Sequence, residues 1–464
     1  KSRNWGGSCF GIAAANALAF GFGQEFRLKY PTFPAFGNPI SVSSGNEVKK
    51  VVNELFTNQY GNPSMANDRI KYGIITPTQT LNEIKQMLRE DNAVVKTLSI
   101  YNNGTGRGAH TILAYGLMQD AIQKNLYYVH VYDNSYPYSI NPIVIDTTVD
   151  GGIGWWSSDD WIDWGGEKNI YLEVPAFNYL FGGFYPSALA YKSPSIPSKN
   201  KLEINNSSKS PFILSVNTLE IYNSPEASIN ITDNQGNMTG FKNNIVLNEI
   251  PGSFPRILKN GSESQPYGYE LINDEYSVIM NNFTSDTAEA FFFTGNESFS
   301  YERSGALQSQ TDRLFFSDGV SVSNPDTQTK SVKLLHILNE TTEEKVFILR
   351  SIDLAQNDSI NIINAYNDIL FLISYGSAKS YDIELNLAAA TGSARFVNFN
   401  IPLSENTSHI YMPDWSNVTN TDLMVLVDVG NDRTIDDTLY LQNQLTSVGD
   451  DHGSLLTPDS YNLA

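Results

Sequence analysis

The chain has 464 residues, a formal net charge of −20 and an isoelectric point near 4.6. Contacts to phosphate need clustered lysine and arginine; no such cluster occurs, so the balance disfavours nucleic acid as a partner and reads as a solvated acidic surface. The 41% hydrophobic and 12% aromatic content argues against a disordered chain, and no apolar run reaches the roughly 18 to 20 residues that cross a bilayer.

A chain of this length is expected to form about two to four domains. Its single cysteine excludes internal disulfides and any zinc site built from two or more thiolates. Lys1 stands where an initiator methionine would, and a motif begins at Asn4, so the sequence is expected to start after a removed segment.

That motif is Asn4-Trp5-Gly6-Gly7-Ser8-Cys9-Phe10-Gly11-Ile12-Ala13. Gly6 and Gly7 allow a tight turn, and Ile12 to Phe22 reads as a helix buried on nearly every side. Cys9 then falls in the first turn, where unpaired amides and the helix dipole favour a thiolate nucleophile. Lone cysteines are more often small buried apolar residues, so the assignment needs a base. Of the five histidines, His110 follows the glycine-rich run Asn102 to Ala109 and opens a buried strand, Thr111 to Gly116, which suits a residue facing a cleft. His130 alternates with Val129 and Val131 and reads as a strand residue on a half-covered face. Asp133 and Asn134 end the next strand, and an antiparallel pairing of the two strands brings either one to His110 as the group that orients the imidazole. Met118 to Asn125 is then the hairpin connection.

Gly7-Ser8-Cys9-Phe10-Gly11 at a helix start, His110 leading a strand, and Val131-Tyr132-Asp133-Asn134-Ser135-Tyr136 closing the following one resemble a papain-like cysteine peptidase of the bacterial and archaeal extracellular type. The resemblance covers about the first 185 residues, and a papain-like domain is expected over 1–190. It implies Cys9 as nucleophile, His110 as general base and acid, and Asp133 as orienter. Asn134 is a rival for the third role, because Asn134-Ser135-Tyr136 resembles the Asn-Ser-Trp of papain. The glutamine that completes the oxyanion hole in this family is Arg3 here, a departure that leaves Asn4 as the nearest amide donor.

Further along, Gly154 to Gly166 is rich in Trp, Gly and Asp and reads as a loop packed on the catalytic half, with Asp159, Asp160 and Asp163 more often solvated than bound to a cation. A strand is expected from Asn169 to Val174. Proline, serine and lysine between Tyr185 and Lys201 read as a linker. Beyond it, short alternating strands separated by Asn-, Ser-, Asp- and Gly-rich turns suggest two antiparallel β-sandwich modules, 200–305 and 312–445, with a boundary near 303–315. Ser228 to Asn237 and Val427 to Asp437 resemble turns of Ig-like modules of prokaryotic surface proteins. Asp428, Asp432 and Asp436 also resemble a calcium loop, without the central glycine, which is Arg433, and without the terminal glutamate.

The expected fold is therefore an α+β papain-like N-terminal domain followed by two all-β sandwich domains. The expected function is a cysteine peptidase acting on a protein or peptide substrate through an acyl-enzyme, with no required cofactor, calcium as a structural candidate, and the sandwich modules binding substrate, glycans or the cell surface. An extracellular or cell-surface setting follows from those modules. The alternatives are an amidase or transpeptidase using the same triad, and an adhesin or binding protein whose peptidase fold is silent.

Overall fold

The computed structural model describes residues 8–31, 46–89, 95–176 (except 104–105, 134–141, 149–153 and 158–163) and 218–444 (except 224–226, 260–264, 296, 340–342, 366–368, 390–391 and 420). The expected linker at 185–201 lies outside the described residues. The chain divides into two compact units. The first takes residues up to 213 together with 243–247 and 256–266, and the second takes the remainder from 214 onward. Residues 243–247 and 256–266, which the sequence assigned to the first sandwich module, thus belong to the first unit.

In the first unit, α1 (Cys9–Gly21) is built from alanine, leucine and phenylalanine and is buried around most of its circumference, as its composition predicts. Helix α2 (Gly23–Lys29) follows after Phe22. Helix α3 (Asn46–Thr57) buries Val48, Val51, Val52, Leu55 and Phe56, a 3.6-residue stripe, which packs with Phe10, Ala14 and Leu18 of α1. Gly11 permits this crossing, since a Cβ there would fall on Val52 O and touch Phe56. Helix α4 (Asn62–Lys71) has proline in its first turn, and α5 (Pro77–Arg89) starts on one, positions where the missing amide hydrogen costs nothing.

Seven strands form one antiparallel sheet: β1 (Lys96–Tyr101), β2 (Ala109–Gln119), β3 (Leu126–Tyr132), β4 (Ile143–Asp146), β5 (Trp155–Ser157), β6 (Gly165–Gly166) and β7 (Ile170–Pro175), in the order β6-β5-β4-β3-β2-β1-β7. The hairpin joining β2 to β3 turns at Asp120–Asn125, within the expected connection. Its register pairs Leu113 with Tyr132 and Ala114 with Val131, and it slips by one residue between Ala114 and Gly116. Continued one step past Tyr132, it sets Asp133 opposite Ile112, two residues from His110 and on the same face of the sheet.

The second unit is antiparallel β throughout its described strands. Two sheets face each other across a single apolar core that runs from Leu219 to Val425. Residues alternate buried and less buried along strands such as Thr287–Phe293, and Phe292 of one sheet stacks on Phe316 of the other with ring centroids 5.6 Å apart. The spacing of strands expects a module boundary near 303–315. There, Glu297–Ser304 pairs with Thr287–Phe293 on one side and Lys330–Asn339 on the other, and Asp312–Phe316 pairs with Tyr276–Asn281 and Gly319–Ser323. Both sheets run straight through the interval. Buried Asp312 accepts from Arg303 at 2.8 Å and pairs with Lys330 at 3.0 Å, tying its two sides together. No helix among the described residues is long and apolar enough to cross a membrane.

Candidate active site

Cys9 is the first residue of α1, where no side chain caps the helix and the first-turn amides have no intrahelical acceptor by position. His110 is the second residue of β2, the strand against which α1 packs. Asp133 follows the last residue of β3. The register brings the last two together: His110 Nε2 lies 2.8 Å from Asp133 Oδ2. All three side chains are enclosed, with Cys9 2%, His110 0% and Asp133 3% exposed.

The electrostatics of His110 follow from this arrangement. Burial alone would strip its proton, but the charge of Cys9, the hydrogen bonds to Asp133 and Cys9, and the charge of Asp133 outweigh it and push the imidazole up from 6.5 to about 10. The His110 ring therefore carries its proton through the neutral range while flanked by a sulfur and a carboxylate. With Nε2 committed to Asp133, Nδ1 is the ring nitrogen left to face Cys9.

A fourth residue enters the site from far along the chain. In the thiol form Cys9 Sγ donates to the carbonyl oxygen of Lys259 at 3.0 Å. The Lys259 amide donates to Gln59 Oε1 at 3.0 Å, and its backbone forms a parallel bridge with Ala109, the residue before His110. Its Nζ, on a side chain 1% exposed, donates to Asp68 Oδ1 at 2.7 Å and Glu173 Oε1 at 2.6 Å. Burial opposes the ammonium charge, but Asp68 and Glu173 more than offset it and raise the lysine pKa. Asp68, in turn, is raised by burial to about 6 despite Lys259, which lowers it. Ser99 and Ser64 hold the two oxygens of Glu173, and Tyr171 donates to Asp68.

Gln59, Asp68, Glu173 and Lys259 are absent from the sequence-based set. Each alone reads as an ordinary polar residue, and only the 250-residue contact between Lys259 and Cys9 gives them a role. Asn4, Arg3 and Asn134, together with Asp159, Asp160 and Asp163, lie outside the described residues. His130 sits in β3 beside Tyr115. His336 and His409 belong to the second unit, where His336 stacks on Phe299 and burial pushes His409 down to about 4; His452 is outside the described residues. Asp428 accepts from the amides of Asp432 and Arg433, Asp432 from Thr434, and Asp436 from Val429, so these carboxylates are turned to their own loop. Among the described residues no group of three or more His, Cys, Asp or Glu side chains is arranged to hold a metal ion.

No protein-family model matches the chain, and no solved structure matches it. A curated protein, the ORC1-type DNA replication protein 14 of Haloarcula marismortui, is 35% identical over 81 residues, which are 17% of this chain and 19% of that protein. The chain thus spans about a fifth of the curated relative it matches.

Proposed function

We propose that the first unit is a papain-like cysteine peptidase with Cys9 as nucleophile, His110 as proton carrier and Asp133 as orienter. The observation that carries this reading is the meeting of three residues from one helix and two strands, with His110 Nε2 on Asp133 and its charge sustained by Cys9. The thiolate attacks the carbonyl carbon of a bound peptide, the C–N bond breaks, and His110 gives its proton to the departing amine, leaving a thioester on Cys9. His110 then takes a proton from water as that water attacks the thioester and the C–S bond breaks, releasing a carboxylic acid that ionises in solvent and restoring the pair. First-turn amides of α1 supply hydrogen bonds to the oxyanion. The same acyl-enzyme passed to an amine instead of water gives a transpeptidase. The all-β second unit serves in this reading as a binding body, for substrate, glycans or the cell surface, in an extracellular setting. The short likeness to a replication protein does not make DNA a partner, because a net charge of −20 repels phosphate.

The enclosure of Cys9 favours one rival, a binding protein in which the same residues are present and silent. Intact-mass labelling with iodoacetamide between pH 5 and 9 separates the two. The peptidase reading expects one label at Cys9 in native protein, in the wild type or once Lys259 is replaced by alanine, and its loss in His110→Ala. Labelling that occurs only in denaturant for both chains, or that is indifferent to His110, leaves the binding protein.

A further inference from the structure

The lysine at the centre of the first unit is held as a peptide substrate residue would be held. Its main chain is fixed at both polar groups, the amide by Gln59 and the carbonyl by contact with Cys9 Sγ, and it is laddered to the residue preceding the proton carrier. Its side chain, 1% exposed, lies in a closed pocket and ends with Nζ between two carboxylates, 5.5 Å from the Phe10 ring centroid and 6.0 Å from that of Tyr171.

We propose that this pocket is the subsite for the residue that donates the acyl group, that it selects lysine, and that Lys259 fills it in cis as a built-in competitor. The proposal rests on the peptidase reading and deepens it. Asp68 and Glu173 are two buried negative charges facing one point; without a cation between them they repel and lack the solvation they had in water. A neutral side chain of the same length, norleucine, fills the volume and leaves that imbalance, and a glutamate worsens it. The two short contacts reach single oxygens of different carboxylates, a geometry for a compact ammonium rather than the planar fork of arginine. The aromatic faces of Phe10 and Tyr171 favour the cation further.

Because the competitor is tethered, its effective concentration is of the order of millimolar, and an external peptide reaches Cys9 only when 256–259 leaves the site. The wild-type chain is then slow toward outside substrates, and displacement of this segment is the step that turns it on.

The test uses the full chain as wild type, Lys259→Ala and Cys9→Ala, with peptidyl acyloxymethyl ketones carrying lysine, norleucine or glutamate next to the reactive group, and reads the rate of covalent labelling at Cys9. The expected result is that Lys259→Ala is labelled by the lysyl probe about tenfold faster than wild type or more, and about tenfold faster by the lysyl than by the norleucyl probe. Equal rates for wild type and Lys259→Ala, or for lysyl and norleucyl probes, overturn the proposal. If Lys259→Ala does not melt cooperatively, the lysyl-to-norleucyl ratio is read on the wild-type chain instead; the same preference is expected there, and equal rates overturn the proposal. Iodoacetamide separates the two layers of the argument. His110-dependent modification of native Cys9 without lysyl preference removes the pocket assignment alone, whereas a Cys9 inert to iodoacetamide in native wild type and Lys259→Ala removes the peptidase reading and the pocket with it.

Discussion

His110 Nε2 and Asp133 Oδ2 sit 2.8 Å apart on side chains that are 1% and 3% exposed, a charge-assisted contact made at the open ends of two neighbouring strands. In that position the carboxylate fixes which ring nitrogen faces the thiol and stabilises the imidazolium.

Asp133→Ala is expected to lower kcat/KM by about 10³- to 10⁴-fold, the scale on which the third member of such triads acts. Asp133→Asn keeps an oxygen acceptor and recovers part of the loss. The check is turnover of a lysyl peptide alongside thermal unfolding; a fall in activity that merely tracks a fall in melting temperature would assign Asp133 a packing role instead.

The raised pKa of His110 makes stability depend on pH. In the unfolded chain the ring titrates near 6.5, and in the folded chain near 10. Below 6.5 both states hold the proton and the full stabilisation is present. As pH rises from 6.5 through 10 the folded state binds a proton that the unfolded state has lost, so the contribution shrinks and is gone above the folded value. Cys9→Ala removes the largest influence raising this pKa and leaves burial, which lowers it, opposed only by the hydrogen bond and charge of Asp133. Urea unfolding at pH 6, 8 and 10 is expected to show the wild type losing stability more steeply with pH than Cys9→Ala. Parallel slopes would detach the imidazolium from Cys9.

At Gly11 two effects have opposite signs. Replacing an exposed helical glycine by alanine stabilises by about 0.5 to 1 kcal/mol. Here the new methyl would fall on Val52 O and press on Phe56 in α3, and overpacking of this kind costs about 1 to 3 kcal/mol. Gly11→Ala is therefore expected to be destabilising in a urea titration, and to slow Cys9 labelling because α1 carries the nucleophile. A stabilised variant would mean that α1 and α3 do not cross so closely.

The three residues of the proposed triad were legible because each lies at a local punctuation mark: two glycines before a helix, a glycine-rich run before a strand, the polar end of a strand. The antiparallel pairing of β2 and β3 followed from two alternating segments and a short polar turn. Nothing local marks Lys259. A lysine between turns reads as solvated, and its contacts with Cys9, Asp68 and Glu173 span 250, 191 and 86 residues. Helix α3 had a signal, the Val48, Val51, Val52, Leu55, Phe56 stripe, that by itself gives a helix. In the second unit the alternation marks individual strands such as Ile369–Tyr375. Which edges join is decided by packing across the whole unit, and the Arg303, Asp312 and Lys330 cluster shows why a polar interval near 303–315 is continuous in space.

Lys259→Met keeps the length of the buried side chain and removes its charge, which leaves Asp68 and Glu173 facing each other without a cation. Removing one partner of a buried ion pair costs about 3 to 5 kcal/mol, most of it from the charge left behind. The size of that cost depends on protonation. Asp68 already stands near 6 because of burial, against an ordinary value of 3.8, and Lys259 is what holds it down. Without the lysine its pKa rises further, so near pH 5 the folded variant binds a proton at this pair and escapes much of the repulsion. As pH climbs through the raised value, the folded state must either keep a proton that the unfolded state has released or bury two like charges, and stability falls. Urea midpoints are thus expected to lie close together for wild type and Lys259→Met at pH 5 and to separate widely at pH 8. A gap that is the same at both pH values would show that Lys259 anchors its segment through packing rather than by neutralising the two carboxylates, and that the pocket has no need of a cation.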